Sequence, residues 1–461
     1  MAENSSGRGS WGGRLGFVLA AAGSAVGLGN LWKFPYLAYE NGDGGAANPH
    51  GAGAFVILYL IAVVIVGLPV MLSEIIIGRR SGLNPVGAFR KLRPGTPWYI
   101  VGALGVTTGF VLLSYYAVVA GWTGEYLVKA LAGDFTGRSP EEIGTQFHSF
   151  LANPWRQVGW LAAFMGLSMA VVIGGVSSGI ERVTKILMPL LLLMLLGLAV
   201  MSLTLEGGGA ALTYIFKPDF SVVTPKMVLD ALGQAFFSLS LGMGAIITYG
   251  SYLSKKEDIV ISGVSIVALD TLVGLMAAVI IFSTLFSVNM SMESGGVGNL
   301  FTAIPVIFQK IPGGGAWVIV FYALVAFAAL TSTISLLEVV VSCFIDQRGW
   351  SRRKAVLSMG TLIFALGIPS ALSFNVGKDF TILGKTFFDV MDTLCANWAL
   401  PLGGLFITLF TGWVLTRREK AEEIVGRPRV LAVWDFLVRY VAPVAVIAVI
   451  VGIVFGLGGE G

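Results

Sequence analysis

Long apolar stretches alternate with short polar turns along this chain. Eleven of them fall at 15–36, 52–78, 99–130, 157–175, 183–204, 227–251, 259–287, 313–345, 354–373, 386–415 and 431–457. A hydrocarbon core ~30 Å thick takes ~20 apolar residues per helix to cross. Because lipid offers no partners to backbone polar groups, such stretches must be helical. The pattern predicts an all-α integral membrane protein with eleven transmembrane helices. Residues 288–312 are Gly-rich and interrupted, which suits a loop with short helical pieces rather than a span. Residues 1–14 are polar, and the first apolar stretch runs past signal-peptide length, so the first helix is expected to remain in the mature protein.

The basic residues suggest an orientation. With Arg8 and Arg14 inside, the later inside loops carry Arg79, Arg80, Arg90, Lys91 and Arg93; Arg182 and Lys185; Lys255 and Lys256; Arg348, Arg352, Arg353 and Lys354; then Arg417, Arg418, Lys420, Arg427 and Arg429. About two-thirds of all Lys and Arg then share one side, as the positive-inside rule requires. The N-terminus is expected in the cytoplasm and the C-terminus outside. Compact loops suit a multi-pass protein of a bacterial inner (cell) membrane.

Composition narrows the function. The 461 residues are 56% hydrophobic and 12% charged, with 61 glycines, which all but excludes a soluble enzyme. A net charge of +4 is too mild to suggest nucleic acid. Cys343 and Cys395 lie in apolar runs, and His50 and His148 are far apart, so neither a disulfide framework nor a metal cluster is expected. No intramembrane His and no nucleophile–base pair points to an enzyme.

Two stretches carry interruptions. The first contains Gly23-Ser24-Ala25-Val26-Gly27-Leu28-Gly29-Asn30, and the sixth Ser238-Leu239-Ser240-Leu241-Gly242-Met243-Gly244. Glycine costs ~1 kcal/mol relative to alanine inside a helix, so both clusters favour unwinding. Small residues also serve close helix packing, and glycine content alone does not separate the readings. Position does. The clusters occupy spans one and six, matching points of two five-helix halves, which is the pointer to an inverted-repeat transporter with a midplane site. Unwound backbone is tolerated in a membrane where it is buried or lines a cavity. Its carbonyls can replace a cation's hydration shell, and half-helix N-termini can face an anion.

Lys33, Glu74, Asp270, Glu338, Asp389 and Asp392 also lie within or at the edge of apolar runs. An Asp or Lys at the bilayer centre costs at least ~2.5 kcal/mol, so each needs a partner or a function. Structural pairing or capping explains any one of them alone. Thr331, Ser332 and Thr333 add hydroxyls in span eight, which otherwise serve by bonding back to their own helix. Together, carbonyls, hydroxyls and a carboxylate make a hard oxygen site for an unreducible cation.

These residues resemble a known family. Leu15-Gly16-Phe17 through Ala25-Val26-Gly27-Leu28-Gly29-Asn30-Leu31-Trp32-Lys33-Phe34-Pro35 is similar to the first-helix signature of the neurotransmitter:sodium symporters. Further matching stretches are Gly67-Leu68-Pro69 to Glu74, Gly78-Arg79, Tyr115-Tyr116, Gly179-Ile180-Glu181-Arg182, Gln234 to Tyr252, Thr331-Ser332 and Asp389 to Asp392. The resemblance runs from about Arg8 to the end of span eleven and implies a bacterial amino-acid transporter. Its fold would be the leucine-transporter-like 5+5 inverted repeat, with helices 1 and 6 broken at the midplane. Residues 1–14 would form a cytoplasmic latch, 15–204 the first repeat, 205–417 the second, and 418–461 a cytoplasmic loop plus helix 11.

Carried over by resemblance, two sodium ions are expected. The first would be held by Ala25, Asn30, Ser238, Asp270 and the substrate carboxylate, the second by Gly23, Val26, Ala328, Thr331 and Ser332. The carboxylate would also meet the amides of Leu28 and Gly29 and the Tyr116 hydroxyl. The ammonium would meet carbonyls near Ala25, Phe237 and Ser238, and the Ser240 hydroxyl. Ser24, Leu112, Phe237, Met243, Ser332 and Leu336 would surround the side chain. Lys33, Asp392 and Phe237 would form an outer gate. Arg8, Trp11 and Asp346 would form an inner one, with Ser251 and Tyr252 nearby.

Departures from the family pattern refine this. Gly27 stands where monoamine carriers have an aspartate, so the substrate must bring its own carboxylate; a hydrophobic L-amino acid, aromatic ones included, is implied. Asp270 replaces a common asparagine, and Gly274 a glutamate or a chloride-binding serine. A permanent carboxylate would balance the cations and make transport chloride-independent. Lys33 replaces an arginine and lacks its bidentate fork, so a looser, water-mediated gate is expected. Gly179 and Pro189 have the spacing of relatives whose fifth helix unwinds, although Pro189 as an ordinary kink explains it equally. The insertion Asp43 to Ala52 has no assigned role.

The expected activity is sodium-coupled import by alternating access, with no catalysis and with lipid and amino acid as partners; an oligomer is compatible but not required. Rival readings are proton coupling through Asp270 or Glu74, a monoamine or other small-amine carrier, and a substrate-gated sensor or channel. A channel needs a polar stripe, whereas these spans show isolated polar points.

Overall fold

The computed structural model describes residues 9–42, 51–290, 292 and 297–456. Apart from one two-stranded hairpin, Thr381–Ile382 with Lys385–Thr386, its secondary structure is helical. Among the described residues nine helices are long and apolar enough to cross a membrane. They are α3 (Gly51–Ser81), α4 (Tyr99–Leu131), α5 (Pro154–Ile173), α6 (Val176–Leu203), α9 (Ile259–Ser287), α10 (Gly314–Arg348), α11 (Arg352–Leu372), α12 (Phe387–Val414) and α13 (Pro428–Val454). A tenth crossing is made if α1 (Arg14–Ala25) and α2 (Gly29–Glu40), bent by 56° at their junction, count as one. The stretch expected at 227–251 appears as two pieces, α7 (Pro225–Ser238) and α8 (Ala245–Gly250), each too short to cross alone. The uninterrupted spans thus number fewer than the eleven apolar stretches, because glycine clusters divide two of them.

Burial separates centre from periphery. In α10, 89% of its most apolar stretch is buried inside protein, against 28% in α13. The central α10 packs most extensively on α4, and α1 packs against α9 and α10. The remaining apolar surface, including Ile186, Leu193 and Val200 on α6, faces outward as a lipid-bathed surface must.

Four prolines mark local widening. Pro35, Pro69, Pro401 and Pro443 each follow by two residues a π-helical turn, at Gly29–Lys33, Val63–Gly67, Thr393–Ala399 and Leu437–Val441. A proline lacks the N–H and collides with the preceding turn; the wider turn relieves both. Pro189 behaves differently. It lies inside the continuous α-helical stretch Arg182–Leu203, so this structure shows no unwinding there.

The connection between α12 and α13 is stapled to two other loops. Arg79 pairs with Glu423 at 2.7 Å, both fully buried in effect, and also donates to the carbonyls of Glu257 and Glu423. Lys255 pairs with the same Glu423. Arg80 pairs with Glu422, Arg427 with Asp258, and Lys420 with Asp435. Two hydrogen bonds from Arg93, at 2.7 and 2.9 Å, hold the Glu419 carboxyl down at about 2.

Candidate functional site

The break in the first helix is a rerouting of two amides. In a continuous helix the N–H groups of Gly27 and Leu28 would close turns on Gly23 and Ser24. Here Gly27 donates to Asn30 Oδ1 at 3.1 Å, and Leu28 donates to the Tyr116 hydroxyl at 3.5 Å. Val26, extended at ψ 113°, turns the chain out of the helix.

The second break, Leu239 to Gly244, needs three positive-φ residues: Ser240 at 53°, Gly242 at 86° and Gly244 at 79°. A side chain at Gly242 would strike the carbonyl of Leu400, 2.2 Å away, so glycine is required twice over. Glu74, wholly buried on α3, accepts the freed Gly242 amide at 2.8 Å. Ser240 ties the breaks together by donating to the carbonyl of Ser24 at 3.0 Å.

Two oxygen clusters flank the first break. One joins α2, α7 and α9. Asn30 Nδ2 donates to Asp270 Oδ1 at 2.8 Å and to Ser238 Oγ at 2.9 Å, while Ser238 donates to Asp270 Oδ2 at 2.5 Å. Tyr59, missed by the sequence reading, donates to Ser238 Oγ at 3.3 Å. Asp270 is completely buried. The Asn30 oxygen, expected to be a cation ligand, here accepts from Gly27 instead. The other cluster joins the first break to α10. Ser332 Oγ lies 3.3 Å from the carbonyl of Val26 and 3.2 Å from that of Ala328, to which Thr331 also donates at 2.9 Å. A methyl on Gly23 would lie 3.3 Å from Thr331 Cβ, which puts that residue at the same point. Carboxylate and hydroxyl oxygens in one cluster, and neutral oxygens alone in the other, suit a hard alkali cation.

Between the breaks lies a cavity of about 580 Å³. Its wall includes Ser24, Ala25, Leu28, Gly29, Leu112, Tyr116, Phe237, Ser240, Met243, Ser332 and Leu336, all among the residues that the resemblance implied for the substrate; Ser238 stays behind the wall, turned to Asp270. Ser335 was missed. It accepts from Ser24 Oγ at 2.7 Å and extends the hydroxyl lining. Toward one end the cavity continues past Lys33 and Asp392 into an aromatic mouth of Trp32, Tyr115, Trp122, Phe147, Phe374 and Phe388. The sequence signal for this mouth was available only as scattered rings, brought together by tertiary folding.

The two gates differ from expectation in detail. Lys33 and Asp392 line the same cavity but form no direct ion pair; the Lys33 ammonium sits over the Phe237 ring, 4.6 Å from its centre. At the opposite end Trp11 is buried, its indole donating to the carbonyl of Tyr249 at 2.8 Å and its amide to Tyr252 at 3.3 Å. Arg8 lies outside the described residues, as do 43–50 of the insertion. Asp346 accepts two hydrogen bonds from Asn84, both at 2.8 Å. Glu181 was not singled out as an anchor, yet it accepts the amide of Gly12 at 2.9 Å. Two charges have structural roles. Glu338 is clamped by Arg352 at 2.7 and 3.0 Å and by the Tyr252 hydroxyl, and Asp389 caps its own helix through Thr386.

A chain with two broken helices around a polar hollow invites comparison with known carriers. Residues 8–143 and 145–457 match the profile of the sodium:neurotransmitter symporter family. The chain belongs to that family. It is 37% identical over 448 residues to YhdH of Bacillus subtilis (strain 168), an uncharacterized sodium-dependent transporter, covering 96% of this chain and 97% of the relative. It is 33% identical to an uncharacterized sodium-dependent transporter of Haemophilus influenzae, over 99% of this chain and all of the relative. Among solved structures, MhsT in complex with L-phenylalanine superposes with a TM-score of 0.87 at 43% identity, covering 96% of this chain and 99% of that one. As a sodium:neurotransmitter symporter the protein is a sodium-dependent multi-pass membrane transporter and not an enzyme.

Proposed function

We propose that this symporter imports a hydrophobic L-amino acid, aromatic ones included, together with two sodium ions and without need of chloride. The observation that carries the reading is the cavity between the two breaks, walled by non-helical backbone and by Leu112, Met243 and Leu336, with glycine at position 27. Lacking a side-chain anion there, the carrier takes a substrate that supplies its own carboxylate. Binding of L-phenylalanine by MhsT supports the same class.

In the proposed cycle the N-terminus is cytoplasmic, in the cell (inner) membrane, and residues 15–204 and 205–417 act as the two repeats. One sodium ion lies with Ala25, Asn30, Ser238 and Asp270, the other with Gly23, Val26, Ala328, Thr331 and Ser332. The substrate carboxylate meets the amides of Leu28 and Gly29, Tyr116 and the first ion. Its ammonium faces the carbonyls near Ala25 and Phe237. Because carboxylate and ion are ligands to one another, each raises the other's affinity by the same factor. Lys33, Asp392 and Phe237 close above the occupied site. Release follows opening at Arg8, Trp11 and Asp346.

Sodium-dependent binding to the detergent-purified chain, competed with the twenty amino acids and a set of monoamines, tests the reading. Competition by large apolar amino acids alone is the expected result. Competition by amines lacking a carboxylate, or binding that ignores sodium, overturns it.

A further inference from the structure

Where α12 and α13 meet beside the stapled loops, two cations share one acid. Lys420, completely buried, pairs with Asp435 at 2.6 Å and donates to the carbonyl of Gly412 at 2.8 Å. Arg439 approaches the other oxygen of Asp435 at 3.1 Å. One carboxylate thus faces two cations, and the unit keeps a positive charge. The Arg439 contact is also misaligned. Among the described residues its guanidinium makes no hydrogen bond, the buried Nε included, although the side chain remains 30% exposed. Five N–H donors with no acceptor call for an anion.

The sequence sets the depth of this charge. Arg439 is followed by twenty uncharged residues, 440–459, and on the neighbouring helix Arg417 is preceded by an uncharged 393–416. About twenty residues make one hydrocarbon crossing, so Arg439 stands at the edge of the core, where lipid phosphates lie. Trp413, Phe436 and Tyr440 gather beside it, each about half exposed. Tyr440 meets Trp413 edge-on at 5.6 Å and lies 5.5 Å from Phe436. Aromatic rings settle at this same boundary. Local structure holds ring and cation together. Pro443 has no N–H to offer the carbonyl of Arg439, and the Trp413 indole donates to it instead at 3.2 Å. A methyl on Gly412 would come within 3.2 Å of Arg439 Cγ, so glycine lets the stem lie against α12.

We infer that this groove binds the phosphodiester of an anionic phospholipid, drawn from the leaflet that meets the stapled loops. Arg439 holds the phosphate oxygens through its terminal amino groups, and the three rings pack on the upper acyl chains. A zwitterionic headgroup brings a cation of its own to an already positive unit, whereas an anionic one supplies the missing charge. The bound lipid clamps α13 to the foot of α12, the span whose other end carries Asp392.

The test titrates phosphatidylglycerol into the detergent-purified full chain. Protection against thermal unfolding gives the half-saturating mole fraction in the micelle. Arg439→Gln should raise it about fivefold, whereas Arg353→Gln, which removes an exposed cation at the start of α11, should leave it within about twofold. No change in Arg439→Gln overturns the site, as does an equal rise in Arg353→Gln, which marks attraction to summed charge. Phosphatidylcholine should protect the wild-type chain far less; equal protection overturns the choice of an anionic lipid. Equal protection by inorganic phosphate or glycerol phosphate overturns the lipid as source. Should Arg439→Gln not fold, phosphatidylglycerol with a photoreactive headgroup gives a second measurement on the wild-type chain. Labelled peptides should include 410–416 or 433–440; labelling confined to other segments overturns the groove.

Discussion

The two oxygen clusters lie on opposite sides of one chain break, yet they are built on different principles. The Asn30–Ser238–Asp270 cluster contains a completely buried carboxylate and closes on itself through short hydrogen bonds. The Val26–Ala328–Thr331–Ser332 cluster contains no formal charge, and its hydroxyls rest on carbonyls of their own helix and of the break. A buried anion without a counterion is costly, whereas neutral dipoles can stand vacant cheaply. The charged cluster is therefore suited to demand a cation, and the neutral one to release it.

The largest test of this contrast is Asp270→Ala. It removes the anion and strands Asn30 and Ser238, a loss of ~3 kcal/mol or more, so sodium-dependent uptake should fall about a hundredfold to background. Surface-expression measurements would verify that the protein is still inserted. The reverse experiment puts a charge where there is none. A side chain on Gly27 would start 3.0 Å from Ser332 Oγ and 3.1 Å from the Tyr116 hydroxyl. Gly27→Asp should then cut uptake of carboxylate-bearing substrates at least tenfold; undiminished transport in a vesicle assay would contradict the carboxylate placement. Ser332→Ala removes one neutral hydrogen bond worth ~1 kcal/mol, and half-saturating sodium should rise about fivefold with the maximal rate retained. Smallest of all is the anion effect. If Asp270 supplies the balancing charge, uptake in gluconate should differ from uptake in chloride by less than twofold, and a severalfold drop would contradict that assignment.

Both breaks were legible in the sequence because glycine writes its conformational role directly into composition. Gly27, Gly242 and Gly244 sit where the chain leaves the helix, and two of them need φ near +80°. The cluster residues were reachable through the family resemblance, which supplied contacts between positions 208 or 240 residues apart that no local pattern could give. What escaped was the choice of partner. Asn30 was read as an oxygen donor to an ion, but its oxygen accepts the amide that the break itself liberates. Glu181 stood only in a stretch that carries the family resemblance, while its use as an anchor for Gly12 depends on a contact across 169 residues. The π-turns two residues ahead of Pro35, Pro69, Pro401 and Pro443 relieve a local steric clash, but the prolines alone do not place them, since Pro189 sits in an uninterrupted α-helix.

The stapled loops have a consequence for how this protein meets its membrane. Arg79, Arg80, Arg93, Lys255, Lys420 and Arg427 count toward orientation while the nascent polypeptide threads into the bilayer, before distant acids are within reach. In the finished fold each is matched by Glu419, Glu422, Glu423, Asp258 or Asp435. Part of the topogenic signal is thus cancelled on maturation, and what steers insertion is not what the finished surface displays.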